Sequence, residues 1–257
     1  MRSIWTGAIG FGLVNIPIKL FSAIESSNLD LDMLDKKDNA NIKFKRVNEN
    51  TGKEVPWNNI VRAFNLDGKY VVLSDADFQE AMPEKTKTIE INSFVEEQEI
   101  EPIFFETAYY IEPEKQGKRA YALLNSALAK SKKAGLGSFV LRNKEHLCLI
   151  KADEHLLVLH RLRFQEEIRD KKELDVPATA PKPAELKMAL SLIDQLSEPF
   201  DITKYKDTYH LKLMKLIKAK AAGKKTVVQP LKIVHSKNRD LMEQLKDSLQ
   251  TKKRKAS

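Results

Sequence analysis

Two groups of cations are the first residues in this 257-residue sequence whose types and spacing could do chemistry. Lys43, Lys45 and Arg46 lie in Ile42-Lys-Phe-Lys-Arg-Val47, where apolar and basic residues alternate. Lys130, Lys132 and Lys133 close a helical stretch, and Arg142 and Lys144 follow it. Ammonium and guanidinium groups hold phosphate through Coulomb attraction and charge-assisted hydrogen bonds. The second group also has a purely structural use, since a cation at a helix C-terminus gains about 0.3–1 kcal/mol from the helix dipole. Neither group is interleaved with aromatic residues, as a platform for stacking single-stranded bases would be. No helix-turn-helix, zinc finger or RNP-type motif accompanies them. Phosphate contact without base readout predicts duplex binding that ignores sequence.

Catalytic chemistry is poorly supplied by comparison. Gly10-Phe-Gly-Leu-Val-Asn15 lacks the third glycine of a dinucleotide fingerprint, and no Gly-x4-Gly-Lys-Ser/Thr loop is present. The five histidines, at 146, 155, 160, 210 and 235, are scattered. His155 and His160, five apart in a predicted strand, point to opposite faces, so no metal site is expected. Acidic pairs such as Glu96-Glu97 and Glu166-Glu167 sit among other charges and read as solvated faces. No nucleophile elbow supports a Ser/His/Asp site. The single cysteine, Cys148, excludes an intrachain disulfide and reads as a buried thiol in an apolar run. The residues therefore describe a binding protein, neither enzyme nor cofactor carrier. Two other classes stay open: a nuclease or lyase with distant carboxylates, and a scaffold whose helices bind protein.

Charge distribution sharpens the ligand. The chain carries a net +8, yet residues 215–257 hold 13 basic residues and three acidic ones, and residues 1–214 are net −2. The positive excess belongs to the C-terminus, where Lys224-Lys225 and Lys252-Lys253-Arg254-Lys255 are dense clusters suited to a polyanion. The tail has no Trp or Phe to anchor it in a membrane surface. The longest uncharged run, Ser3 to Ile18, is 16 residues and contains Gly7, Gly10, Gly12 and Pro17, so no membrane span is expected. With 42% hydrophobic residues, 31% charged residues and a mean hydropathy of −0.42, the chain reads as soluble and cytoplasmic.

The elements that must position these cations follow from periodicity. Trp5 to Phe21 reads as strand, with Pro17 at an edge or bulge. Ile42 to Val47 is predicted as a strand with one buried and one cationic face, turning through Glu49-Asn-Thr-Gly52 into Glu54-Val-Pro-Trp57. Further strands are predicted at Lys69–Leu73, Thr88–Val95, Ile103–Ile111, Ser138–Leu141, Leu147–Lys151 and Leu156–Phe164. Ser74 caps a short helix, 75–81, and a longer helix over 114–133 carries Tyr121, Leu124 and Leu128 on one stripe and stops before Gly135. Many short strands and one prominent helix predict an α+β fold with a β-barrel core.

Four segments are expected: a core of residues 1–174, a proline-rich linker at 175–183, a helical region at 184–223 and a Lys-rich tail at 224–257. Leu186, Ala189, Leu190, Ile193 and Leu196 share one helical face. Leu213, Met214, Leu216, Ile217 and Ala221 share another, ending at Gly223. A third short amphipathic helix is predicted at 239–250.

Met1-Arg-Ser-Ile-Trp-Thr-Gly-Ala-Ile-Gly-Phe-Gly-Leu-Val-Asn-Ile-Pro-Ile-Lys-Leu-Phe21 resembles the N-terminal signature of bacterial Ku, the DNA-end-binding protein of non-homologous end joining. The resemblance continues through Lys43-Phe-Lys-Arg-Val, Glu54-Val-Pro-Trp, Tyr70-Val-Val-Leu, Pro83-Glu-Lys-Thr-Lys-Thr-Ile-Glu-Ile91, Arg119-Ala-Tyr-Ala-Leu-Leu124 and Leu141-Arg-Asn-Lys-Glu-His-Leu147. Glu185-Leu-Lys-Met-Ala189, Phe200-Asp-Ile-Thr-Lys-Tyr-Lys-Asp-Thr-Tyr209 and Leu216-Ile-Lys-Ala-Lys220 extend it to about residue 223.

The resemblance implies a Ku/SPOC-like β-barrel core with a bridging arm, two copies of which close a homodimeric ring around double-stranded DNA ends. It places the ring cations on Lys43, Lys45 and Arg46, with Lys132 and Lys133 as a second set. It further implies that the region after Pro183 recruits a multifunctional ATP-dependent DNA ligase. Leu186, Met188, Ile193, Phe200, Tyr205, Tyr209 and Leu216 are the residues expected to make that contact. Such a protein needs no cofactor, binds no membrane and works in the cytoplasm at the nucleoid. Because residues 1–214 are net −2, the basic clusters must face the hole and the carboxylates must face outward.

Overall fold

The computed structural model describes residues 1–25, 27–81, 87–176 and 180–224, together with Leu245 and Ser248. The described residues fall in two compact units, one of residues 1–25 and 30–170, the other of residues 27–29 and those from 171 onward. No helix among the described residues is long and apolar enough to cross a membrane.

In the first unit, β1 (Trp5–Phe11) and β2 (Val14–Ser22) form a hairpin whose loop uses Gly12 at φ +56, a conformation that costs glycine nothing. Pro17 stands in β2 one residue before that strand joins β6, so its missing N–H breaks no rung of the β2–β6 pairing. An arm follows, with β3 (Arg62–Leu66) and β4 (Lys69–Leu73) joined through Asp67-Gly68, both at positive φ. Ser74 caps α1 (Asp75–Glu80) in a reciprocal box with Asp77, as its sequence predicts. The chain then enters β5 (Thr88–Glu96) and β6 (Phe105–Pro113), crosses α2 (Lys118–Ser131), and ends in β7 (Lys133–Leu141), β8 (Lys144–Asp153) and β9 (Leu156–Leu162).

Seven strands close a barrel in the order β1-β2-β6-β9-β8-β7-β5, with β5 returning parallel to β1. The α+β fold with a barrel core is thereby realised. Alternation divides the side chains: Cys148 and Ile150 join the main core with Ile9, Ile16, Ile18 and Phe139, while Leu149 joins Ala134 and Leu162 in a second cluster. Burial pushes the Cys148 thiol up to about 12, so it is un-ionised and inert at neutral pH. The α2 stripe of Tyr121, Leu124 and Leu128 belongs to the main core. Gly137 faces the Glu90 carbonyl, which a Cβ would meet at 2.0 Å, beside the register shift between Ile91 and Ser93.

Three local expectations are corrected. Ile42–Val47 is not a two-faced strand: all six residues are exposed, and Val47 alone forms a strand bridge, with Glu54. The long helix begins at Lys118 rather than 114, and Lys132 at φ +56 ends it, leaving Gly135 inside β7. His155 lies in the turn before β9 rather than in the strand with His160.

The second unit contains α3 (Pro183–Leu196) and α4 (Thr208–Ala221). Asp207 caps α4, and Gly223 at φ +71 lets the Lys224 N–H return to the Ala219 carbonyl, closing the helix where the sequence marks its end. The predicted helix at 239–250 lies outside the described residues, apart from Leu245 and Ser248.

Candidate nucleic-acid interface

The arm hairpin that carries Lys45 and Arg46 is built on a single bridge, Val47 to Glu54, with the Val55 N–H donating to the Arg46 carbonyl at 2.8 Å. Asn48 shapes its turn: its side-chain oxygen accepts from the backbone of Asn50 and Thr51. This register sets the partners of two candidate cations. Lys45 Nζ donates to Glu54 Oε2 at 2.6 Å, and the guanidinium of Arg46 lies 4.5 Å from the centre of the Trp57 ring. Lys43 is exposed beside them.

The second candidate group is split. Lys130 ends α2, and Lys132 and Lys133 pass from its left-handed cap into β7. With Ser131, Lys151 and Glu97, Lys132 and Lys133 border a cleft of about 840 Å³. Arg142 and Lys144 flank the other end of β7, roughly 27 Å away at the rise of an extended strand. Arg142 and Asn143 form the two-residue β7–β8 turn, both at positive φ, which thrusts the arginine out of the sheet. The two pairs, close in sequence, cannot grip one phosphate.

Arg142 instead shares a cleft of about 520 Å³ with Arg62, Phe78 and Gln79 of the arm. Arg62 pairs with Asp75 at 2.9 Å and stacks 3.7 Å from the Phe78 ring centre. Sequence reasoning missed Arg62, Trp57 and Glu54; the turn at 48–52, read as a register, would have placed Glu54 and Trp57 against Lys45 and Arg46.

Among the described residues, no carboxylate lies within ion-pair distance of Lys43, Arg46, Lys130, Lys132, Lys133 or Arg142, whereas Lys144 stands 4.0 Å from Glu167. Lys224 is exposed; Lys225, Lys252, Lys253, Arg254 and Lys255 lie outside the described residues. On the barrel wall Arg161 clamps Glu106 with two nitrogens, holding that carboxyl below its ordinary range. It serves the sheet and offers no free charge.

The predicted partner-binding residues are also uncovered in the second unit. Leu186, Ile193 and Leu216 are exposed, Met188 is half-buried, and Phe200, Tyr205 and Tyr209 are each more than two-thirds exposed. Helical faces of this kind, apolar yet open to water, are surfaces a partner can cover.

A closed seven-stranded barrel with a long arm between β2 and β5 defines a recognisable class. Residues 10–188 match the Ku70/Ku80 beta-barrel domain. The chain belongs to the Ku family. It is 41% identical over 230 residues to the non-homologous end joining protein Ku of Opitutus terrae, covering 88% of this chain and 83% of that one. It is 40% identical to the protein of that name from Pseudomonas aeruginosa, with 94% and 85% covered, and 34% identical to that of Coxiella burnetii, with 98% and 96% covered.

Proposed function

We propose that this chain binds the ends of double-stranded DNA without reading their sequence, as a homodimeric ring acting in non-homologous end joining. In this reading it protects ends and recruits a multifunctional ATP-dependent DNA ligase, and it works as a binding protein rather than an enzyme, in the cytoplasm at the nucleoid. The observation that carries the reading is the family match over residues 10–188, which takes in six of the seven barrel strands, the end of β1 and the whole arm.

Self-association is supported by the arm's surface. Phe44, Phe64 and Tyr70 are each more than 60% exposed, and β3–β4 forms a two-stranded sheet with little buried. A lone hairpin of this kind is marginal in water, and covering each large apolar side chain gains about 1.5–3 kcal/mol. A second copy supplies such cover and closes a ring. The open apolar faces of α3 and α4 support ligase docking, with 175–183 as the linker before them and 224–257 as a phosphate-seeking tail.

Replacing Lys43 and Arg46 together with Glu tests the reading. Loading onto linear duplex is expected to be abolished in a gel shift, and binding equal to the unmodified protein contradicts the assignment.

A further inference from the structure

The three cations of the arm hairpin are not equivalent. We infer that Arg46, rather than Lys45, is a phosphate-contacting cation of the hairpin and that Trp57 is the positioning residue that presents it. The inference rests on the DNA-binding reading above and deepens it.

Three observations carry it. The Lys45 ammonium is neutralised within the hairpin, 2.6 Å from a Glu54 oxygen, so the pair contributes no net charge to the surface. Arg46 meets an aromatic face instead, its Cζ 4.5 Å from the Trp57 ring centre. A ring attracts the guanidinium through its quadrupole, yet it accepts none of the five N–H donors and cancels none of the charge. The guanidinium is therefore held in place while its edge stays free for the bidentate geometry that phosphate oxygens prefer. Trp57 is 72% exposed, so the ring is not anchored in a core that would explain its presence there. The third observation is the backbone: the hydrogen bond from the Val55 N–H to the Arg46 carbonyl fixes the two strands against each other. Trp57 follows two residues after Val55, which brings it close to Arg46 across the hairpin.

The experiment measures affinity for a linear duplex by fluorescence anisotropy across a salt series, with sedimentation of each free protein alongside. Arg46→Ala is expected to lower the log–log salt slope by about 0.9 for each phosphate it no longer neutralises. Trp57→Ala is expected to weaken binding about two- to fivefold, the worth of an exposed cation–π interaction, and Trp57→Phe to restore most of that affinity. In an Arg46→Ala background, Trp57→Ala is expected to cost nothing further. Removing the neutral pair together, Lys45→Ala with Glu54→Ala, is expected to leave the slope unchanged. The inference is overturned if Trp57→Ala weakens binding as much without Arg46 as with it, or alters sedimentation, since the ring then acts on its own account. It is equally overturned if the paired removal lowers the slope as far as Arg46→Ala. Failure of the unmodified protein to bind duplex would refute the functional reading itself.

Discussion

The Tyr121 hydroxyl accepts a hydrogen bond from the Leu157 N–H at 2.7 Å and donates to the Ile111 carbonyl, also at 2.7 Å. Ile111 and Leu157 are partners at the end of the β6–β9 ladder, so one side chain of α2 closes the backbone of two barrel strands. This pair of hydrogen bonds joins helix to barrel more specifically than the apolar stripe does.

Tyr121→Phe leaves a buried N–H and a buried carbonyl unpaired, at a cost of about 1–3 kcal/mol in urea unfolding. Burial raises the Tyr121 pKa, outweighing the backbone hydrogen bond that lowers it. The unfolded chain therefore ionises first, and this contribution, complete below the ordinary value of 10, is lost as pH rises past it. The urea midpoint is expected to fall above pH 10, and to fall less steeply in Tyr121→Phe.

His146 and His160 predict an acid limb. Burial lowers both pKa values, helped by Arg161 and Lys144 around His146 and by Lys151 beside His160. The unfolded chain takes up these protons first, so the contribution is present above the ordinary value of 6.5 and lost as pH falls below it. Urea midpoints between about pH 7 and 5 are expected to decline, and the decline is expected to flatten when both histidines are replaced by Gln. An identical decline in that variant would assign the effect elsewhere.

Deleting residues 224–257 removes most of the chain's positive excess. Affinity for linear duplex is expected to drop, and the log–log salt slope to shrink by about 0.9 for every phosphate the tail had neutralised. An unchanged slope would show that the tail touches no phosphates.

Much of this architecture is written in periodicity. The barrel strands are legible where alternation and burial coincide along them, as in β2, where Ile16, Ile18 and Leu20 are buried and Pro17 and Lys19 between them are not. The arm is legible only in part: Lys69–Leu73 and the helix capped by Ser74 are found as read, but elsewhere its pattern implies cover that one chain does not provide. Ile42–Val47 alternates as though one face were buried, yet Phe44 is 80% exposed. Arg62–Leu66 escapes notice as a strand for the same reason, although Asp67-Gly68 beside it is a strong hairpin signal. Among the cations, sequence adjacency misleads: Lys133 and Arg142 look like one cluster until β7 is drawn out between them. Partners across a hairpin, such as Glu54 for Lys45, depend on a register fixed by one turn.

The central claim is that DNA enters a closed protein ring through a free end. Gel shifts with a linear duplex and a covalently closed circle of the same sequence test it most directly. Binding of the linear form with little or none to the circle is the predicted result. Equal affinity for both would contradict threading and leave a general phosphate binder in its place.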